Sequence, residues 1–268
     1  MRYALHAEWT KMRTVAGPSW LLLATVVLTI GLGAVIADAS AVAGSASSAL
    51  NSGTHHGEDG VRLTLGGIQV SQAVIAILAV QAVSGEYATG MIRTTLTAMP
   101  KRLIALAAKA CVTVGLASLA ALPAVFGAFL LGRAILVGHG FTPAHGYNTL
   151  NLTDGPILRA TLGTVLYLAL IALLSMGIAL LVQETAVAIG AVLALLYLFP
   201  LLAAAVGDPV WRRHLEQAGP MTAGLLVQTT TDLSALPLSP WQGLGVLALW
   251  AVAAAGIGAV GLTRSSSV

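Results

Sequence analysis

Residues 160–206 read ATLGTVLYLALIALLSMGIALLVQETAVAIGAVLALLYLFPLLAAAV. Two apolar runs without a formal charge, 160–182 and 186–206, are separated only by Gln183-Glu184-Thr185. Each is long enough to cross ~30 Å of hydrocarbon as a helix rising about 1.5 Å per residue. A three-residue link admits little besides an antiparallel helical hairpin. A span in lipid must satisfy its backbone internally, and a helix does so. The stretch therefore predicts a polytopic, all-α membrane protein.

Working outward, four further runs have the same character: 19–37, 64–83, 110–131 and 243–262. None of the six contains Asp, Glu, Lys, Arg or His, and Pro123 and Pro200 predict kinks in two of them. Composition agrees. The 268 residues are 57% hydrophobic and 9% charged, with mean hydropathy +0.89. A soluble domain carries about 25% charged residues, so this chain cannot clothe a globular surface, and a disordered, collagenous or disulfide-stapled chain is excluded as well. Cys111 is the only cysteine, which rules out an internal disulfide or a multi-thiolate metal site. The net charge of +3 comes from sparse basic residues flanking apolar runs, so no nucleic-acid partner is expected. The first run exceeds a signal-peptide core of about 7–15 residues and follows Glu8, so it reads as a retained span.

Orientation follows the Lys/Arg asymmetry. With the N-terminus inside, the cytoplasmic side carries eight basic residues (Arg2, Lys11, Arg13, Arg93, Lys101, Arg102, Lys109, Arg264). The outer side carries five (Arg62, Arg133, Arg159, Arg212, Arg213), together with most of the acids. Both termini are expected to be cytoplasmic.

The connections carry the remaining information. Residues 1–18 read as a helix lying on the membrane: Leu5, Trp9, Met12 and Ala16 form one apolar stripe, and Trp9, Lys11 and Arg13 suit the inner headgroup boundary. Gly17-Pro18 is expected to break it before the first crossing. An Ala/Ser/Gly-rich outer loop follows, ending in His55-His56-Gly57-Glu58-Asp59. Adjacent ligands in a flexible loop rarely face one ion, so this is read as a solvated loop and no metal is assigned. The cytoplasmic loop 84–102 concentrates its charges at a few positions: Gly85 is expected to turn the chain, Glu86 to open a short helix and Pro100 to close it. Lys109 is expected to lay its stem in lipid with its ammonium in water. In the outer loop 207–242, Asp208-Pro209 and Gly219-Pro220 predict the starts of short helices.

Catalytic chemistry finds little support. The chain has no G-x-x-x-x-G-K-[ST] to cradle phosphates and no H-E-x-x-H, and all six histidines lie outside the spans. The chain is therefore not expected to be an enzyme or to hold a cofactor. Gln69 and Gln72 are i, i+3 neighbours on one face of span two, suited to a substrate path or to binding neighbouring helices together. Gly256, Gly258 and Gly261, with residues 253–255, permit close helix contact in the last span. No acid lies at span depth, which argues against ion coupling.

Three strings then carry a resemblance. Val83-Ser84-Gly85-Glu86-Tyr87-Ala88-Thr89-Gly90-Met91-Ile92-Arg93-Thr94-Thr95-Leu96, followed by Pro100 and Arg102, resembles the ABC-2-type transporter permeases common in actinobacteria. Ala7-Glu8-Trp9-Thr10-Lys11-Met12-Arg13-Thr14 resembles their N-terminal interfacial helix, and Leu238-Ser239-Pro240-Trp241-Gln242-Gly243-Leu244 the start of their last span. The resemblance implies a permease subunit in the bacterial cell membrane. It would be paired with a second, identical or paralogous, permease and with two copies of a separate ATPase that holds ATP and Mg²⁺. It further implies export of a small or amphipathic substrate. A coupling helix would dock on the ATPase through Gly85, Glu86, Gly90, Arg93, Thr94 and Thr95, with Pro100 and Arg102 at its exit. A membrane scaffold or sensor and an ion-coupled carrier are the alternatives.

Overall fold

The computed structural model describes Thr10 and residues 16–50, 59–88, 102–142 and 150–264. Its helices are α1 (Ala16–Leu50), α2 (Gly60–Thr64), α3 (Ile68–Ala88), α4 (Arg102–Gly138), α5 (Gly155–Val182), α6 (Thr185–Ala205), α7 (Pro209–Ala218), α8 (Pro220–Gly224) and α9 (Pro240–Arg264). Two 3₁₀ turns, Leu225–Gln228 and Leu233–Ala235, complete the elements, and no strand occurs among the described residues. Helices α1, α3, α4, α5, α6 and α9 each contain a stretch long and apolar enough to cross a membrane. The chain is an all-α, multi-pass membrane protein.

The spans alternate in direction, which gives the bundle two ends. The hairpin end holds the close of α3, the start of α4 and the two-residue α5–α6 link. The cap end holds α2, α7, α8 and the 3₁₀ turns. Helix α5 occupies the centre, with 67% of its spanning window buried against 22% in α1 and α6. It packs most extensively on α9, and also on α3, α4 and α6, while α1 lies mainly on α4.

Lipid is as apolar as a leucine side chain, so helices associate in it chiefly through close van der Waals contact and hydrogen bonds. Small residues provide that contact here. A methyl built on Gly177 of α5 would lie 2.5 Å from the Ala255 backbone nitrogen of α9. One on Gly258 would lie 2.9 Å from the Gly177 carbonyl oxygen. The other small residues of α9 behave differently. Gly256 and Gly261 are exposed, and a methyl on either would meet nothing within 4 Å, so of that set Gly258, Ala254 and the Ala255 backbone serve this seam.

Several boundaries differ from the sequence reading, each for a local reason. Gly17 and Pro18 lie within the first turn of α1 instead of breaking a helix, a place where proline's missing N–H is tolerated. Helix α1 also runs on through the Ala/Ser/Gly-rich stretch to Leu50. Alanine is the best helix former, and Ala37 and Ala41 are buried with Leu136 and Phe141 near the end of α4. Asp38 adds an exposed ion-pair contact with His139 at 3.7 Å.

Span two begins at Ile68, because Leu65-Gly66-Gly67 interrupts the helix and leaves Thr64 in α2. Here two backbones touch: a methyl on Gly67 would stand 2.5 Å from the Thr29 carbonyl oxygen, and one on Gly33 the same distance from that of Thr64. Helix α4 extends from Arg102 to Gly138, well beyond 110–131, and includes Lys109 and Arg133. Pro123 and Pro200 both lie inside helices, α4 and α6 respectively. The last span starts at Pro240.

Candidate functional site

At the hairpin end, the expected turn at Gly85 is absent. Helix α3 continues through Gly85 and Glu86 to Ala88, so Glu86 lies in a last helical turn and not at a helix N-terminus. The continuation is stabilised by Ser84, a buried residue whose hydroxyl donates to the Val80 carbonyl at 2.9 Å. Thr185, the first residue of α6, donates its own hydroxyl to Ser84 Oγ at 2.9 Å. Arg102 is the first residue of α4. Gly90, Arg93, Thr94, Thr95 and Pro100 lie outside the described residues, as do Trp9, Lys11 and Arg13 at the N-terminus.

Lys109 departs from expectation. It is 6% exposed, and its Nζ donates to the Ala82 carbonyl of α3 at 3.0 Å. Packing of α4 on α3 encloses it, so the ammonium is held by protein and does not reach out to water. Burying an ammonium is costly unless hydrogen bonds compensate, which makes this contact a constraint on how α3 and α4 sit together. The α5–α6 link consists of Gln183 and Glu184, with Gln183 in the left-handed region at φ 60° and its N–H on the Ala179 carbonyl.

Near the cap end, Gln69 and Gln72 have separate fates. Gln72 is fully buried. Its Oε1 accepts from the Tyr167 hydroxyl of α5, and its Nε2 donates to the Gln69 carbonyl at 3.0 Å and approaches Met221 Sδ of α8 at 3.1 Å. Gln69 is exposed, and its backbone carbonyl accepts from the Tyr197 hydroxyl of α6. Gln72 therefore fastens helices together, while Gln69 lines a cleft.

The cap is seated on three close approaches. Side-chain atoms at Gly163 of α5 would collide with Val227, at Gly224 with the Tyr167 ring, and at Gly243 of α9 with the Ala223 carbonyl. The predicted proline starts are present: Pro209 and Pro220 open α7 and α8, and the Asp208 carboxylate caps α7 by accepting from the Val210 N–H at 2.8 Å. Trp250 of α9 donates its indole N–H to the Ala218 carbonyl at 3.0 Å, joining the α7 end to the last span.

Asp59 ties the α2 region to the cap. Its carboxylate caps α2 through the Val61 N–H at 3.2 Å. It also accepts from the Thr230 N–H, the Thr230 hydroxyl at 2.8 Å and the Thr231 N–H at 3.2 Å. Sequence alone puts this residue in a solvated loop; the carboxylate instead bridges segments 171 positions apart. His55, His56, Gly57 and Glu58 lie outside the described residues. Beside Asp59 opens a cleft of about 620 Å³, lined by Ile36, Arg62, Gln69, Gln228, Thr229 and Asp232 among others. Arg159 of α5 donates to the Thr229 carbonyl at 2.6 Å and holds its floor.

No known protein family, curated protein or solved structure matches this chain. Its fold and site are thus defined by their own geometry. The sequence reading did not single out Tyr167, Tyr197 or Gln228, and it gave Asp59 and Lys109 other roles than the ones they have. Tyr167 and Tyr197 did carry a signal: a phenol inside an apolar span needs a hydrogen-bond partner, and the glutamines of span two supply acceptors for both.

Proposed function

We propose that this chain is the membrane subunit of an ATP-driven ABC-2-type exporter in a bacterial cell membrane. It would move a small or amphipathic substrate while a separate ATPase holding ATP and Mg²⁺ provides the force. The hairpin end faces the cytoplasm in this reading, in line with the excess of Lys and Arg on that side. A second permease copy or paralogue completes the complex.

The observation that carries the reading is how the hairpin end is joined. The connection between α3 and α4 leaves next to the α5–α6 link. Ser84 and Thr185 couple α3 to α6, and Lys109 couples α4 to α3. A push on that one connection therefore reaches three spans. An ATPase docked there would bias the bundle only if ATP favours one of its arrangements, because a ligand without preference shifts no equilibrium. The three strings quoted above add the family resemblance, and the chain's lack of a phosphate-cradling loop is compatible with an external motor.

Tagged chain expressed with its neighbouring ATPase tests the proposal. The two should purify together, and ATP should drive substrate flux in vesicles. Glu86→Ala and Arg93→Ala should each reduce association or coupled ATP hydrolysis by about tenfold, the effect of losing one well-placed polar contact. Full association and coupling in folded variants would remove the docking assignment, and flux without any ATPase would remove the exporter reading.

A further inference from the structure

The cap-end cleft has features that helix packing does not explain. Gln228 and Thr229 line it and are each only 5% exposed. Gln228 Nε2 and Thr229 Oγ1 nevertheless have no hydrogen-bond partner among the described residues. A buried polar atom left unpaired costs stability, so two side by side are groups that the head of a bound molecule can satisfy.

The lining indicates what that molecule is. Three charged side chains border the cleft: Arg62, Asp59 and Asp232. Asp59 is engaged by Thr230, Thr231 and Val61. Arg62 and Asp232 are exposed and make no ion pair among the described residues. One available cation and one available carboxylate at the same opening suit a head group bearing both charges. With Asp59 in the lining and Arg159 at the floor, the two arginines and two aspartates balance, which suits a head group of zero net charge.

Depth adds the second half. Ile36 and Gln69 belong to membrane-spanning stretches of α1 and α3, whereas Arg62, Thr229 and Asp232 lie outside all six. The cleft thus straddles the boundary between hydrocarbon and water. Leu63, Leu225 and Leu236 make part of its wall apolar. Its volume of about 620 Å³ falls within the range of small-molecule sites.

We infer that this cleft binds an amphiphile with a zwitterionic head, of the phosphatidylethanolamine class. The phosphate lies against Arg62, Gln228 and Thr229, the ammonium lies at Asp232, and acyl chain leaves past Ile36 and Leu63. The lining residues named belong to one chain and the assignment does not rest on any ATPase, so it stands or falls separately from the exporter reading.

Titration calorimetry on the purified full chain in a non-ionic detergent tests it, with dihexanoyl phosphatidylethanolamine as titrant. Saturable binding with one lipid per chain is expected. Phosphoethanolamine, which has the head without the chains, and dihexanoyl phosphatidylglycerol, which lacks the ammonium, should each bind at least about tenfold more weakly. Arg62→Gln and Asp232→Asn should each weaken the ethanolamine lipid by about tenfold, since each removes one charge-assisted contact. Gln228→Met should weaken it as well while leaving the thermal midpoint equal or higher, because it deletes an unpaired buried amide. Equal affinity for the two lipids, phosphoethanolamine binding as tightly as the lipid, or indifference to the three substitutions overturns the assignment. A lowered midpoint in Gln228→Met with binding unchanged overturns it too, by making the amide structural.

Discussion

The two ends of the bundle are built by different means. At the hairpin end, two residues join α5 to α6, and hydroxyl and ammonium contacts fasten α3 to its neighbours. At the cap end, segments far apart in the chain interlock: Asp59 with Thr230 and Thr231, Gln72 with Tyr167, Arg159 with the Thr229 carbonyl. Glycines at 163, 224 and 243 let the cap settle on the spans. The contrast teaches where rigidity lies. The cap end is locked by packing and by hydrogen bonds of long sequence separation. The hairpin end is set largely by chain connectivity and, among the described residues, has fewer cross-ties.

The strongest way to break this contrast is at the cap's seat. Gly243→Val places side-chain atoms against the Ala223 carbonyl, which is backbone and cannot rotate away. A loss of about 3 kcal/mol is expected from overpacking, read as a lower unfolding midpoint in detergent. A midpoint within error of the parent would show that the seat yields.

A smaller effect should follow from Asp59→Ala, which removes the α2 cap and the bonds to Thr230 and Thr231. The expected cost is about 2 kcal/mol, the typical scale for hydrogen bonds to a charged group. Hydrogen exchange should rise over residues 220–236 and stay unchanged around 183–185. Uniform exchange across both ends would erase the distinction between them.

The smallest effect belongs to the hairpin end. Thr185→Val removes one hydroxyl bond to Ser84 and should cost about 0.5–1 kcal/mol, because Ser84 keeps its bond to Val80. A loss as large as that of Asp59→Ala would mean that the hairpin end is as tightly tied as the cap.

Legibility in the sequence tracks the range of the interaction responsible. The six spans are readable because each is fixed by its own unbroken apolar composition, and the starts of α7 and α8 because proline acts at its own position. Gly85 misleads, since a glycine signals a turn only where packing does not hold the helix, and Ser84 is buried against α6. The Ala/Ser/Gly stretch after residue 37 misleads in the opposite direction: its composition suits a loop, but Ala37 and Ala41 rest on α4. Lys109 follows the same pattern. Its enclosure depends on where α3 lies, and no local string encodes that. At the cleft, Gln228 and Thr229 sit in a polar run, 228–232, that reads as ordinary loop until Asp59 is placed beside it.

The length of α1 has a mechanical consequence. Its apolar spanning stretch, Gly17–Ala43, has 27 residues and reaches roughly 40 Å at the usual helical rise, against ~30 Å of hydrocarbon. A helix that overshoots its bilayer answers a change in thickness by leaning. Because Ala37 and Ala41 rest against Leu136 and Phe141, the tilt that α1 takes is shared with the far portion of α4.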